Sequence, residues 1–396
     1  MTQREMKDRT TRGLRVLFVS AYPRNGVTIG GVESAVDALT GAMSSRPDIE
    51  AIELMHFRND IVNYQHLQVN SKLGVHYMPG QKLWALPTHS WRDYVRAKRI
   101  ARAFRPDIIH GEGLSSAGDI ATRLSTPSVV TIHGMVHIET RARAHNRIIG
   151  YARVFLVDAM VRRVLHRARV VISISDYDQS VLQRYIPHSV VRIPNAVRPQ
   201  FFFPVDSPQE SQSILFAGVI GPLKNVDGII RAFAKVQRLV PGATLNLAGP
   251  VINNRYFAGI NNEIQEAGIN NISYLGNLNG QDLFAALRRS TIVVLFSKQE
   301  NLPCIIAEAM AMSKPVVSSN VGGVAEMVDH GHTGFLVNQG DEEGLAACLM
   351  KLLNEPHLRR SMGERAHKMA LEKWEPQTVA GQTVRAYHLA LGREHP

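Results

Sequence analysis

The sequence predicts an α/β protein built from two parallel-sheet domains. Short apolar runs alternate with helical patterns along most of the chain, the signature of strands covered by helices on both faces. The series occurs twice, on either side of the polar, proline-containing stretch PVDSPQESQ (204–212). The length of 396 residues suits two domains of ordinary size. These observations place one domain at 1–203 and a second at 204–375. Ligands of open parallel sheets bind beyond the carboxyl ends of the strands, and two such domains leave a cleft between them.

In the first half, RVLFVSAY (15–22) reads as a buried strand, and VESAVDALTGAMSS (32–45) has helical spacing. DIIHGEG (107–113), SVVTIHG (128–134) and ARVVISIS (168–175) read as further strands. In the second half, SILFAGVIG (213–221) is a strand and NVDGIIRAFAKVQRLV (225–240) a helix. ATLNLAGP (243–250), NISYLGNL (271–278), TIVVLFS (291–297), PVVSSN (315–320) and TGFLV (333–337) continue the strand series.

Composition narrows the class. The chain is 45% hydrophobic and 20% charged, as expected of a folded globular protein. Its two cysteines, Cys304 and Cys348, are too few for a disulfide framework or a thiolate metal site, which favours a reducing compartment and a cytoplasmic protein. No stretch approaches the roughly 18 apolar residues of a membrane span, and LRVLFVSAY is too short and strand-like for a signal peptide. The net charge is +11. Residues 1–200 hold 28 Lys/Arg against 16 Asp/Glu, and residues 201–396 hold 17 against 18, so the whole excess lies in the first half. Such a basic face suits nucleic acid, anionic lipid or a phosphorylated substrate, or is simply a solvated surface. No nucleic-acid-binding motif accompanies it, and no nucleic-acid partner is expected.

Four features fall where parallel sheets bind ligands. Gly30 and Gly31, in VTIGGVESA (27–35), precede a helix, so their N–H groups can approach an oxyanion. The pair is not a dinucleotide fingerprint, and a purely structural turn has the same form. His133, in TIHGMVH (131–137), stands at a strand end, either reaching into the cleft or satisfied within a loop. Lys224 lies just before a helix among turn residues, as a point charge for phosphate or as a surface lysine. The fourth is QENLPCIIAEAMAM (299–312), where Pro303 suits a helix start and Glu308 lies inside an apolar helix. A carboxylate in that setting is costly unless hydrogen-bonded, either within the protein or by two neighbouring ligand hydroxyls. Glu300 stands near the helix N-terminus, whose positive end attracts anions. A nucleotide sugar offers a diphosphate, a ribose and a hexose to such a segment.

With these residues in view, the chain resembles a family 4 glycosyltransferase of the GT-B fold, with two Rossmann-like domains. The resemblance covers about residues 14–390. It is strongest over SKQENLPCIIAEAMAMSKPVVSSNVGGVAEMVDHGHTGFLV (297–337), which resembles the family's E-x7-E region. GGVE (30–33), TIHG (131–134), SISDYDQSVL (173–182), IPNAV (193–197) and KWEP (373–376) support it. The resemblance implies a retaining transferase moving a hexose from a GDP- or UDP-linked donor, GDP-mannose or a UDP-hexose, to a glycan hydroxyl. The pathway implied is bacterial polysaccharide synthesis. Residues 376–396 are expected to cross back to the first domain.

Residue by residue, the resemblance implies Glu308 on the donor ribose, with Glu300 and the backbone of Asn301 and Leu302, ahead of Pro303, around the donor sugar. Lys224 is expected on the diphosphate, helped by Gly30 and Gly31, with Gly218 in the same donor site. His133 is expected beside the transferred sugar, and Gly276 and Asn277 at the base. Relatives carry Gly-Arg before the lysine, where this chain has Gly218–Val219, so half of the expected diphosphate clamp is absent. No covalent nucleophile is evident. Front-face displacement is implied, in which the leaving diphosphate helps deprotonate the acceptor. No cofactor and no metal are expected.

Two Arg-rich stretches, 91–106 and 141–170, mix arginine with apolar residues at roughly helical spacing. They suit docking on an anionic membrane face, where a polyprenyl-diphosphate-linked acceptor would wait, or are ordinary packing helices. A catalytically silent partner in a glycan-assembly complex is the alternative function. A nucleotide-sugar epimerase or a phosphorylase would share the fold.

Overall fold

The computed structural model describes residues 12–24, 27–28, 30–80, 90–134, 148–186, 189–203 and 212–393. The chain divides into two compact units, one of Met1–Tyr22, Ala35–Ala196 and Pro376–Pro396, the other of Pro23–Ser34 and Val197–Glu375.

The first unit is built on an eight-stranded sheet. Its strands are β1 (Leu14–Val19), β2 (Ile49–Arg58), β3 (Gln65–Gln68), β4 (Leu73–Pro79), β5 (Ile108–Glu112), β6 (Ser128–Ile132), β7 (Val170–Ser173) and β8 (Ser189–Arg192). Their order is β3-β4-β2-β1-β5-β6-β7-β8. All pair in parallel except β3 with β4. The helices are α1 (Gly31–Ser44), whose first residues up to Ser34 group with the second unit, α2 (Ser90–Phe104), α3 (Ser116–Arg123), α4 (Ile148–Arg167) and α5 (Asp176–Leu182). Every residue of β5, β6 and β7 is buried, which explains why these strands show no in-out alternation, although β5 carries His110 and Glu112 into the interior. Leu17, Val19 and Ile109 pack with Ile120 and Ala121 of α3. Val130 and Ile132 pack with Val161, Val164 and Leu165 of α4.

The second unit carries an all-parallel six-stranded sheet. Its strands are β9 (Ser213–Ala217), β10 (Thr244–Ala248), β11 (Ile272–Gly276), β12 (Ile292–Leu295), β13 (Val316–Ser319) and β14 (Gly334–Val337), in the order β11-β10-β9-β12-β13-β14. Its helices are α6 (Val226–Leu239), α7 (Asn254–Glu266), α8 (Gly280–Arg289), α9 (Cys304–Ala311), α10 (Glu342–Asn354) and α11 (Pro356–Trp374). The last helix, α12 (Pro376–Ala390), groups with the first unit.

Two local features shape the second sheet. Strand order reverses between β9 and β12, so the segments leaving these strands diverge and open a crevice at their carboxyl ends. Just past β10, Gly249 has φ +133, and a Cβ there would lie 1.9 Å from the Gly218 carbonyl oxygen. Only glycine lets the turns after β9 and β10 come so close.

The sequence put the domain boundary after residue 203, in the stretch 204–212, whose residues 204–211 lie outside the described residues. By contacts the division falls at Ala196/Val197. The Val197 amide donates to the Trp374 carbonyl at 3.0 Å, and Phe201 meets Phe284 of α8 edge-to-face at 5.6 Å. Residues 135–137 after His133 and 141–147 of the second Arg-rich stretch also lie outside the described residues.

Candidate functional site

The reversal between β9 and β12 accounts for the first pair of candidate residues. The turn after β9 runs from Gly218 through Val219 to Lys224, and Asn225 then takes a left-handed φ of +51 to launch α6. The turn after β12 runs from Ser297 to Pro303. A backbone hydrogen bond from the Lys298 amide to the Leu223 carbonyl, 2.8 Å, ties the two turns together. Lys224 is thereby set against Glu300, with Nζ 2.5 Å from Oε1. Ser297 Oγ donates to the same carboxylate oxygen at 2.6 Å. Asn301 is half-buried and Leu302 buried, and Pro303, at φ −68, precedes the first residue of α9.

Glu308 stands in the second turn of α9 among Ile306, Ala307, Ala309 and Met310, all buried, and is itself 3% exposed. Ser34 Oγ donates to its Oε1 at 2.8 Å, and the Arg198 guanidinium stands 3.9 Å away. Burial pushes the Glu308 carboxyl above its usual value, while Arg198 and the Ser34 hydrogen bond oppose that rise.

Arg198 is buried, with its guanidinium over the Phe201 ring at 5.0 Å. Gly280, at the start of α8, makes room for it, since a Cβ there would come within 2.4 Å of Nη1. Arg198 Nε has no hydrogen-bond partner among the described residues.

Gly31 opens α1, and its carbonyl accepts from Cys304 Sγ at 3.4 Å. The starts of α1 and α9 therefore meet. Gly30 precedes them, with nothing within 4 Å of the position a Cβ would take. At the end of β11, Gly276 has φ +75 and accepts from the Gly249 amide at 2.8 Å, and Asn277 follows, exposed. The second unit thus holds Gly30, Gly31, Gly218, Lys224, Gly276, Asn277, Glu300, Asn301, Leu302, Pro303 and Glu308.

His133 belongs to the first unit, just past β6. Its Nε2 lies 2.5 Å from Oε2 of Glu112, the last residue of β5. Register pairs Glu112 with Thr131, two residues before His133. His110 stands behind, with Nε2 2.7 Å from Thr131 Oγ1 and 3.5 Å from Glu112 Oε1, and Nδ1 2.7 Å from the Tyr387 hydroxyl of α12. Burial raises the Glu112 pKa, but the charges of His110 and His133 and hydrogen bonds from His133 and Thr131 outweigh it and hold the carboxyl below its usual value. Burial lowers His110 and raises Tyr387. Glu112, Thr131 and His133 line a cavity together with Val36, Asn195 and Thr383.

Sequence reasoning missed Ser34, Arg198, Glu112 and Ser297. Glu112 was within reach, since HGEG closes a buried strand beside the strand of TIHG, and a carboxylate at such an end needs a partner.

Residues 197–369 match the family of glycosyl transferases group 1, and residues 29–201 match glycosyltransferase family 4. An uncharacterized glycosyltransferase of Methanocaldococcus jannaschii is 24% identical over 369 residues, covering 91% of this chain and 95% of the relative. Sucrose-phosphate synthase from Thermosynechococcus elongatus superimposes with a TM-score of 0.79 at 17% identity, covering 96% of this chain and 99% of that one. HepE of Anabaena, solved in complex with UDP and glucose, gives 0.70 at 18%, covering 94% and 98%. Both units are parallel-sheet α/β domains, and the fold is GT-B. The chain belongs to the group 1 and family 4 glycosyltransferases.

The raised pKa of Glu308 has a signed consequence. Between the unfolded and folded pKa values the native state binds more protons than the unfolded state, so this group's contribution to stability falls as pH rises. Glu308→Gln, which removes the titration, should gain melting temperature relative to wild type on going from pH 4 to pH 7. Thermal unfolding of both proteins across that range checks it, and a constant difference would mean that Glu308 is not held above its usual value.

Proposed function

We propose that the protein is a retaining hexosyltransferase that takes its sugar from a nucleotide diphosphate donor, GDP-mannose or a UDP-hexose, and passes it to a glycan or lipid-linked hydroxyl. The observation that carries this reading is the pairing of Lys224 with Glu300 at the strand-order reversal of the second sheet, beside the apolar helix that buries Glu308. Glu308 is a hydrogen-bond acceptor for ribose hydroxyls, and the Ser34 and Arg198 contacts hold it in place for that role. Lys224 is the cation for the diphosphate, next to the converging starts of α1 and α9. The base lies at Gly276 and Asn277. UDP bound to HepE, a relative in fold, supports a nucleotide donor.

In the reaction, the acceptor hydroxyl oxygen bonds to the anomeric carbon on the face from which the diphosphate departs. The carbon–oxygen bond to phosphate breaks, the diphosphate takes the electron pair, and the acceptor proton passes to a phosphate oxygen. Lys224 stabilises the charge that develops on the leaving group. Glu300 accepts from sugar hydroxyls, with its carboxylate already oriented by Ser297. His133 hydrogen-bonds the transferred sugar, and Glu112 orients its imidazole. No metal is assigned to this step. Val219 supplies no cation where relatives carry arginine, so the diphosphate depends more heavily on Lys224.

The acceptor side falls to the first unit. Trp91, Arg92, Val95, Arg96, Arg99 and Arg102 of α2 are exposed, a basic face with an apolar edge. On α4, Phe155 is exposed, as are Arg162 and Arg163. These faces suit an anionic membrane carrying a polyprenyl-diphosphate-linked glycan, in polysaccharide synthesis. No helix among the described residues is long and apolar enough to cross a membrane.

Two experiments test the proposal. Incubation with UDP-glucose, UDP-N-acetylglucosamine and GDP-mannose should release nucleoside diphosphate from one of them, with retention at the anomeric carbon by NMR. Lys224→Ala should weaken that donor by about 10- to 100-fold, the worth of a charged hydrogen bond. Glu300→Gln should lower kcat more than it raises KM. No turnover of any donor would favour the catalytically silent partner instead. In flotation at low salt, the protein should rise with vesicles containing anionic lipid and stay behind with neutral ones. Equal behaviour with both removes the membrane from the account.

A further inference from the structure

The free edge of the first sheet carries a second cluster of chemistry-bearing side chains, none of them assigned to the donor. Glu53 on β2, His66 on β3 and His76 on β4 share one sheet face. Register places His66 opposite His76 across the antiparallel β3–β4 pair, and Glu53 opposite Gly74 across the parallel β2–β4 pair. His76 is two residues beyond Gly74, and side chains two apart point to the same face. From these three strands, Glu53 Oε2 comes 3.2 Å from His66 Nε2 and 3.1 Å from His76 Nε2. One ligand atom from each of the three residues lies within 4.8 Å of the others.

We propose that Glu53, His66 and His76 form a zinc site that staples the hairpin of β3 and β4 to β2. Two imidazole nitrogens and one carboxylate oxygen are a donor set that zinc accepts. In tetrahedral coordination with bonds of about 2.0 Å, neighbouring ligand atoms stand roughly 3.3 Å apart. The two Glu53–histidine separations already match that spacing. Three side chains fill three positions, and His66, whose side chain is 37% exposed, leaves the fourth open to water.

Two further observations point the same way. The first is Gly74. Its φ is not positive, so the backbone does not demand glycine there. The demand is for space, because a Cβ at this position would lie 2.4 Å from Glu53 Oε2 and 2.7 Å from His66 Nε2. The cluster therefore sits in a recess that an alanine would fill. The second is Tyr64, whose hydroxyl lies 2.9 Å from His76 Nδ1. A metal-bound imidazole keeps its orientation by donating its other N–H to an oxygen, and the Tyr64 hydroxyl can accept that bond.

An ion here would have a structural effect. β3 is a four-residue edge strand with all residues exposed and one neighbour, so little burial holds it. A metal bridging β2, β3 and β4 would hold that edge in register and shield it from pairing with another chain.

The test uses the full chain stripped of metal by a chelator and titrated with Zn2+ against a chromophoric competitor. One equivalent should bind to the wild type, and His66→Ala should weaken it at least about 100-fold. His66 is exposed on the edge, so the variant keeps the fold, which circular dichroism verifies. Gly74→Ala should weaken zinc as well, while Mg2+, which prefers oxygen ligands, should not compete. Zinc should raise the melting temperature of the wild type and leave that of His66→Ala unchanged. If zinc fails to bind, or binds His66→Ala as tightly as wild type, the three residues form only hydrogen-bonded histidine–carboxylate pairs and the site is overturned.

Discussion

Glu308 is almost wholly buried in a helix of isoleucine, alanine and methionine, and a carboxylate there has to be met by other groups. The protein meets it with a hydroxyl from Ser34 and a guanidinium from Arg198. Each of these in turn constrains its surroundings. Ser34 brings the start of α1 to the start of α9, where Gly31 accepts from Cys304. Arg198 needs the glycine at 280 and the ring of Phe201, and Phe201 needs Phe284. These contacts of the second unit are arranged around the accommodation of one carboxylate. Both partners lie against the same carboxylate oxygen, Oε1, which is the geometry the proposed role of Glu308 uses.

The strand-order reversal between β9 and β12 does the complementary work. It turns two neighbouring strands toward different helices and leaves their turns facing one opening. The Lys298–Leu223 backbone bond then fixes the spacing between the turns, and the Lys224–Glu300 pair follows from it. The same topology recurs in the first unit, where β1 and β5 flank the reversal and β5 ends in Glu112. The first sheet thus places Glu112, paired to an imidazole, at the end of a central strand, and the second places Glu300, paired to Lys224, in the turn that follows one.

Much of this was legible in the sequence, for physical reasons. Strands that are largely buried are rich in apolar residues, so β1, β5, β6, β7, β9, β10, β12 and β13 stand out as short runs, even though β5 also buries His110 and Glu112. The α9 helix is visible because Pro303 marks its start and no polar face interrupts it. Glu308 is visible because it is the single charge in that helix. The strands of the free edge were harder. β2 interleaves polar residues with apolar ones, and β3 has no buried face at all. Arg198 and Ser34 were not legible, because their meaning comes from contacts with a residue far along the chain, 274 positions away for Ser34. The cluster of Glu53, His66 and His76 was hidden for the same reason. Its members lie on three strands whose pairing, rather than whose spacing, brings them together. The domain limit moved because Arg198 and Phe201 pack with the second unit, which a polar linker read by composition does not reveal.

The most direct test of the central claim is calorimetric titration of UDP, GDP and ADP into the wild type and into Glu308→Ala. The account, in which Glu308 is proposed to accept the ribose hydroxyls, predicts that one nucleotide binds the wild type and that the variant binds it at least about 10-fold more weakly. Equal affinity in the two proteins, or no affinity for any nucleotide, would contradict it.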